Sequence, residues 1–269
     1  MNTNAVSDAG SLKRGVALLK ILATAGARGC PLSELSVKSG MPHPSAHRIL
    51  KQLMAERLAE HNQETHRYKI GPLAFELGIA SSTMHDIRDL CEPAMARLAK
   101  ETEDTVYLVI RSGFEAVCMH RREGSFPIRT LVLEVGSRRP LGVGAGGLAI
   151  LAAIPGEEQK QIILRVAPHL SQFGKLTEAA LEEACQQTLE SGIAVIQNRV
   201  SLGVTAVGVH FKDSMGQAIG AISVAALTQR MTPSRIRSIS ERLKSGAEEI
   251  EKSLRQRRQT FSSSPSQLP

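Results

Sequence analysis

The stretch PLSELSVKSGMPHPSAHRILKQLMAE, residues 31–56, predicts two short helices joined by a tight turn. The first helix covers about Leu32–Ser39 and ends at Gly40, because glycine tolerates the positive φ that is common just after a helix. The second covers about Pro44–Glu56, and Pro44 suits its first turn, since the N–H that proline lacks would have no helical partner there. A short helix, a turn that contains glycine and a second helix form the helix-turn-helix layout.

The second helix has one polar, basic face, while its apolar residues recur at helical spacing on the other face. A helix fits the major groove of B-DNA, and the residues near its N-terminus reach the base edges. The candidate DNA-binding residues of this helix are His43, Ser45, His47, Arg48, Lys51 and Gln52. Among them, Arg48 suits a guanine or a phosphate, Gln52 suits an adenine, and Lys51 suits the charged backbone.

A hairpin is predicted next, because two strand candidates, Leu58–His61 and Arg67–Ile70, flank a polar turn. Such a hairpin indicates a wing, in which Arg67 and Lys69 could meet DNA phosphates or the minor groove. Together with an amphipathic helix before residue 31, the pattern predicts a winged helix-turn-helix domain over residues 11–71. The same pattern also fits a small helical bundle with a hairpin and a solvated charged face.

The composition narrows the class of partner. The 269 residues carry a formal net charge of +7, and a basic protein favours polyanions such as DNA, because its cations displace condensed counterions. The absence of tryptophan and the scarcity of tyrosine argue against a single-strand binder that stacks bases on aromatic rings. The chain shows no secretory leader pattern and no apolar run of membrane-spanning length, so we expect a cytoplasmic protein without membrane association.

Signs of catalysis and of metal binding are weak. The cysteines lie far apart and form no C-x-x-C motif, which predicts reduced thiols rather than disulfides or a zinc site. They are Cys30, Cys91, Cys118 and Cys185. No nucleophile elbow appears, and a DNA-facing surface explains the neighbouring His43 and His47 better than a metal pair does. We therefore expect neither an enzyme nor a metal site.

The rest of the chain predicts a mixed domain. A helical linker is expected over residues 72–104, and a disordered Ser/Pro-rich tail over residues 257–269. Over residues 105–256, strands and helices mix without strict alternation, which predicts an α+β domain around an antiparallel sheet. The predicted strands are Val106–Arg111, Ala116–His120, Ile128–Glu134, Ile193–Gln197, Val204–Phe211 and Ala218–Ala226. The predicted helices are Ala145–Ala153, Glu157–Ala167, Thr177–Ser191 and Pro233–Gln259.

A glycine-rich segment, residues 142–147, matches G-x-G-x-x-G and precedes an apolar helix. A dinucleotide site would need a strand just before the segment and an acidic residue about twenty positions after it. Arg138, Arg139 and Pro140 precede it instead, and residues 162–166 hold no carboxylate. An enzyme with a nucleotide cofactor is therefore the weaker alternative, and we expect no cofactor. The N–H groups at such a helix start suit a smaller anion or polar ligand.

Several separate segments resemble the IclR family of bacterial transcriptional regulators, and they span about residues 11–256. They are SLKRGVALLKIL, PLSELSVKSGMPHPSAHRILKQLMAERLAE, ETHRYKIG, TEDTVYLVIRSGFEAVCMHR, VGSRRPLGVGAGGLAIL, ESGIAVIQNRVSLGVTAVGVHF and GAISVAAL. The resemblance implies an N-terminal winged helix-turn-helix and a C-terminal GAF-like α/β domain that binds a small-molecule effector, a metabolite. It also implies homodimers or homotetramers on palindromic double-stranded operator DNA. The effector would alter DNA binding or the recruitment of RNA polymerase, and both repression and activation stay open.

The resemblance also assigns DNA contacts and an interface. In the matching recognition helix the implied contacts are Ser45, His47 and Arg48. The family usually has Ser or Thr where this chain has Pro44, so a contact from that hydroxyl would be missing. One recognition helix covers too few base pairs for specificity in a genome, so paired half-sites are expected. The helices over residues 11–25 and 72–82 are the expected interface elements.

The effector pocket is the other region that the resemblance places. The implied pocket residues and their polar neighbours are Val143, Gly144, Ala145, Gly146, Ile196, Asn198, Thr205, Ala206, Ser223 and Ala225. Ile196, Ala206 and Ala225 are apolar here, whereas several of these positions are polar or acidic in well-known members. This departure favours a less polar effector, although simple packing in a hydrophobic core would also explain the three residues.

Overall fold

The computed structural model describes residues 10–80, 82–174 and 176–262. The chain divides into two compact units, Met1–His85 and Asp86–Pro269. Separate clusters of buried apolar residues fill the two units. Within the described ranges, no helix is both long and apolar enough to cross a lipid bilayer.

The first unit has the expected winged helix-turn-helix layout. In chain order its elements are α1 (Ser11–Ala25), a 3-10 turn (Gly26–Arg28), β1 (Cys30–Pro31), α2 (Leu32–Ser39), α3 (His43–Ala55), β2 (Ala59–Asn62), β3 (Arg67–Ile70) and α4 (Pro72–Ala80). The strands form an antiparallel sheet in the order β1, β3, β2. Sequence reasoning missed β1, because two residues are too few to show an alternating pattern.

Local signals explain where α2 and α3 begin and end. Gly40 follows α2 with a φ of +67°, and its N–H donates to the carbonyls of Ser36 and Val37. Pro44 lies in the first turn of α3, as its lack of an N–H allows. The apolar face of α3 is buried against the core of this unit through Ala46, Ile49, Leu50 and Leu53. Burial of that face leaves the polar face of α3 toward solvent.

The second unit is built on one antiparallel sheet. In chain order its elements are α5 (Ser82–Thr102), β4 (Thr105–Ser112), β5 (Glu115–Arg122), β6 (Arg138–Pro140), α6 (Ala145–Ala152), α7 (Gly156–Leu170), α8 (Glu178–Ser191), β7 (Ala194–Gln197), β8 (Val204–Lys212), β9 (Ala218–Leu227), a 3-10 turn (Thr228–Arg230) and α9 (Pro233–Ser262). The strand order is β6, β5, β4, β9, β8, β7, and each neighbouring pair is antiparallel. The expected antiparallel sheet is confirmed.

Helices cover both faces of this sheet. Alternate residues of β4 point to opposite sides, so Val106 and Leu108 pack with α5 and α9, while Tyr107 and Val109 pack with α6, α7 and α8. The central strands are consequently apolar on both faces. The face that carries α6 also contains the glycine-rich segment.

One predicted strand is wrong. The segment Ile128–Glu134 is not a strand, and the three-residue β6 takes the edge position beside β5 instead. The apolar residues that suggested a strand are partly solvent-exposed, Ile128 and Leu131 among them. Alternation within such a short window does not distinguish a strand from a loop whose side chains contact a neighbouring core.

The two ends of the second unit also differ from expectation. From Ile87 onward α5 packs into the core of this unit, so it is more than a connector. The last helix continues to Ser262, so residues 257–262 are helical where disorder was expected. The rest of the expected tail, residues 263–269, lies outside the described residues.

Candidate functional site

The outer face of α3 is open to solvent. His43, Arg48, Lys51 and Gln52 are exposed, and Ser45 and His47 are partly exposed. Within the described ranges, the side chains of these residues make no hydrogen bond or ion pair. Because Arg48 and Lys51 are not neutralised by a neighbouring carboxylate, this face presents positive charge and free donors. That arrangement suits a polyanion.

The wing residues, in contrast, already have partners. The Arg67 guanidinium donates to the carbonyls of Arg28 at 3.0 Å and of Gly29 at 3.2 and 3.3 Å. The ammonium of Lys69 lies 2.9 Å from a Glu60 carboxylate oxygen on the neighbouring strand. Arg67 therefore fastens the wing to the turn before β1, a role that sequence reasoning did not assign.

Gly29 explains why this turn can approach the wing. Its φ is +65°, and a Cβ at this position would lie 2.6 Å from the carbonyl oxygen of Tyr68. Only glycine accepts both the left-handed backbone and the close approach. The wing is thus held to the rest of the first unit by backbone proximity and by the Arg67 hydrogen bonds.

A cavity of about 50 Å³ lies in the second unit, between the sheet and the start of α6. Most of the implied effector residues line it: Val143, Gly144, Ala145, Gly146, Ile196, Ala206, Ser223 and Ala225. Its remaining lining is largely apolar and comes from β4, β5, β8 and the segments that precede β6 and β8. The cavity is thus a small, mainly apolar chamber with the glycine-rich helix start on one wall.

Two of the implied effector residues do not line this cavity. Thr205 is fully buried, and its hydroxyl lies 3.0 Å from that of Thr228. The Asn198 side chain accepts a hydrogen bond from the Gly203 N–H at 2.8 Å and closes the turn between β7 and β8. Side chains alternate along β8, so Ala206 faces the cavity while Thr205 faces away.

Arg139 is the main cavity residue that sequence reasoning missed. It lies half-buried on β6 opposite Ala116, which also lines the cavity. Its Nη2 donates to the Val132 carbonyl at 2.7 Å, and burial lowers the pKa of its guanidinium. Its neighbour Arg138 bonds Glu115 and Ser112 instead. Because adjacent strand residues face opposite sides, one member of this arginine pair had to point inward.

The buried thiols are held in the protonated state. All four cysteines are free and buried, and burial raises the pKa of Cys118, which lines the cavity, to about 11. A protonated thiol is neither a good nucleophile nor a metal ligand. Within the described residues, no group of three or more His, Cys, Asp or Glu side chains is placed to hold a metal ion.

The glycine-rich segment does not belong to a dinucleotide-binding unit. The strand before it, β6, is a short antiparallel edge strand, whereas the dinucleotide fingerprint requires a parallel strand-helix-strand unit. Gly146 instead allows close packing, because a Cβ there would lie 2.5 Å from a methyl group of Val109. The geometry therefore favours a small ligand over a nucleotide.

Comparison with known proteins accounts for both units. Residues 79–252 match the family described as bacterial transcriptional regulator IclR C-terminal, and residues 11–63 match the IclR helix-turn-helix domain. The chain is 29% identical over 253 residues to the HTH-type transcriptional repressor AllR of Escherichia coli (strain K12), and the alignment covers 93% of this chain and 92% of that relative.

Solved structures share the fold. An IclR transcriptional regulator from Silicibacter sp. TM1040 superposes with a TM-score of 0.76 at 21% identity, and the match covers 91% of this chain and 96% of that one. An IclR homolog from Microbacterium hydrocarbonoxydans, complexed with 4-hydroxybenzoate, gives a TM-score of 0.71 at 20% identity, covering 92% and 100%. The expected fold, a winged helix-turn-helix followed by a GAF-like α/β domain, is confirmed.

Proposed function

The chain belongs to the IclR family of bacterial transcriptional regulators, and from that premise we propose that it binds a palindromic operator in double-stranded DNA through paired copies of α3. The open, basic face of α3 carries this proposal, since Arg48, Lys51 and Gln52 are exposed and make no bond to another described residue. In the major groove, Arg48 would bond a guanine edge and Gln52 an adenine edge, while Lys51 would neutralise a phosphate.

The first turns of α3 add shorter contacts. His43, Ser45 and His47 lie closest to the helix N-terminus, the part of a recognition helix that reaches base edges. Pro44 removes one N–H from this turn and supplies no hydroxyl. Sequence selection at the base nearest the helix start would then depend on Ser45 and the two histidines.

The wing would contribute position more than sequence selection. Arg67 is occupied by main-chain carbonyls, so it supports DNA binding by fixing the wing. Lys69 can exchange its exposed partner Glu60 for a DNA phosphate, because an exposed ion pair is worth little.

The cavity beside α6 would bind the effector. Support comes from its apolar lining, from the glycine-rich helix start on its wall, and from the ligand-bound state of the Microbacterium hydrocarbonoxydans homolog. Effector binding would change operator affinity or the recruitment of RNA polymerase. We place DNA binding in residues 11–71 and effector binding in residues 105–256, with residues 72–104 joining them in a cytoplasmic regulator.

Oligomerisation would pair two recognition helices. Leu12 on α1 is 81% exposed and Phe75 on α4 is 65% exposed, although both are large and apolar. Exposed apolar residues on the two helices that the sequence marks as interface elements suit contact with a second copy of the chain. A homodimer is the smallest assembly that reads a palindrome, and a homotetramer would pair two dimers.

Selection from a random pool of DNA duplexes tests the operator proposal, whichever genes the protein controls. The full-length protein should enrich one sequence motif with two-fold symmetry, and its binding should weaken as salt is raised. Retention of duplexes without any enriched motif would contradict specific recognition and leave only electrostatic binding.

A further inference from the structure

We propose, on the basis of the proposed regulatory function, that the cavity beside α6 selects a small monocarboxylate with an apolar body and that Arg139 binds its carboxylate. The inference deepens the effector proposal by naming the chemical class of the ligand. It rests on a half-buried cation without a counterion, on an unpaired buried hydroxyl, and on the size and lining of the cavity.

Arg139 differs from the comparably buried arginines of the same unit. Arg121, Arg138, Arg230 and Arg235 each pair with a carboxylate. Among the described residues Arg139 pairs with none, and its one hydrogen bond goes to a main-chain carbonyl. A cation withdrawn from water without a counterion is unfavourable, and an anionic ligand would remove that penalty.

Further donors lie on the same wall. Ser223 is only 6% exposed, and its hydroxyl has no hydrogen-bond partner among the described residues. A Cβ on Gly146 would lie 3.7 Å from this hydroxyl, and one on Gly144 would lie 3.8 Å from Nη1 of Arg139. The guanidinium and the hydroxyl therefore flank the first turn of α6, a helix that no side chain caps. The N–H groups of a first helical turn have no partner within the helix and favour an anion.

The rest of the cavity limits the ligand. Arg139 is the one charged side chain among the described residues that line it, so a ligand with several charges is disfavoured. The hydroxyl of Tyr107 is already bonded to the main chain, and the remaining walls are mostly aliphatic. A volume near 50 Å³ has room for about three to five water-sized groups. These limits fit a carboxylate on a short apolar chain.

Calorimetry on the full-length protein without DNA tests the proposal. The probes are propionate, isobutyrate, isovalerate and benzoate, each compared with its neutral amide. At least one acid should bind, and its amide should bind about tenfold more weakly or worse, because the charge-assisted bonds are lost. Failure of all four acids, or equal affinity of acid and amide, would overturn the proposal.

Matched variants test the role of Arg139. Arg139→Gln should weaken the binding acid by about tenfold or more, whereas Arg138→Gln, next to it on β6, should leave the affinity unchanged. Equal loss in both variants would overturn the role of Arg139. If Arg139→Gln does not fold, Arg139→Lys and the comparison of acid with amide still decide the question. A missing DNA motif in the duplex selection would refute operator binding and leave this calorimetric result standing.

Discussion

The hydroxyl of Tyr107 donates a 2.5 Å hydrogen bond to the carbonyl oxygen of Thr130 and accepts one from the Val132 N–H at 3.0 Å. These bonds fasten the strandless segment between β5 and β6 to the central strand β4. Tyr107→Phe leaves a buried carbonyl and an N–H without this partner, so we expect the free energy of unfolding to fall by about 1–3 kcal/mol. Chemical denaturation measures the loss, and hydrogen exchange should quicken around Thr130.

Tyr68→Phe is the matched control for this change. Tyr68 is 6% exposed, and no described residue shares a hydrogen bond with its hydroxyl. Its replacement should leave stability nearly unchanged. Equal losses in the two variants would show that the Tyr107 hydroxyl does not hold the segment.

The basic face of α3 leads to a prediction about specificity. Arg48→Ala should weaken binding to the selected operator by about 1–3 kcal/mol, because a bidentate contact to a base is lost. Lys51→Ala should weaken all duplexes alike and reduce the salt dependence. Fluorescence anisotropy with operator and scrambled duplexes separates the two effects. Lys38→Ala, which removes an exposed α2 residue paired with Glu34, is the control and should bind normally.

The wing anchor leads to a prediction about stability. Arg67→Ala removes charge-assisted bonds to the carbonyls of Arg28 and Gly29, so the first unit should lose about 1.5–3 kcal/mol of stability. Its affinity for DNA should fall without a change in the preferred sequence. Lys69→Ala breaks only an exposed pair and should cost less than about 1 kcal/mol. A stable Arg67→Ala protein with altered base preference would instead assign Arg67 to base recognition.

Sequence reasoning succeeded where local signals agree and missed features that depend on tertiary contacts. The bounds of α2 follow from Gly40 and the apolar spacing, which are local. The segment Ile128–Glu134 has a strand-like pattern, but its conformation is set by the Tyr107 hydroxyl, which lies far away in sequence. Arg139 and Arg138 are identical in type, and only the register of β6 against β5 decides which one enters the cavity.

The buried thiols lead to a prediction about pH. Burial raises the pKa of Cys91 and Cys185 to about 12 and that of Cys118 to about 11, while nearby Glu34 adds to burial in raising that of Cys30 to about 11. The unfolded chain ionises these thiols first, near pH 9, so their contribution to stability should be lost as the pH rises from about 9 to 11. Thiolate absorbance should therefore appear at lower pH in denaturant than in the native protein. Coincident titration curves would contradict this burial.

The exposed apolar residues of α1 and α4 lead to a prediction about assembly. If Leu12 and Phe75 contact a second copy of the chain, Leu12→Glu and Phe75→Glu place a charge in that contact and should shift the protein toward monomer in analytical ultracentrifugation. The monomer should bind a palindrome no better than a half-site, because the two recognition helices are no longer linked. Leu164→Glu, on α7 and 63% exposed, is the control and should keep the native mass. If both interface variants keep the mass and the preference for a palindrome, the chain associates through another surface.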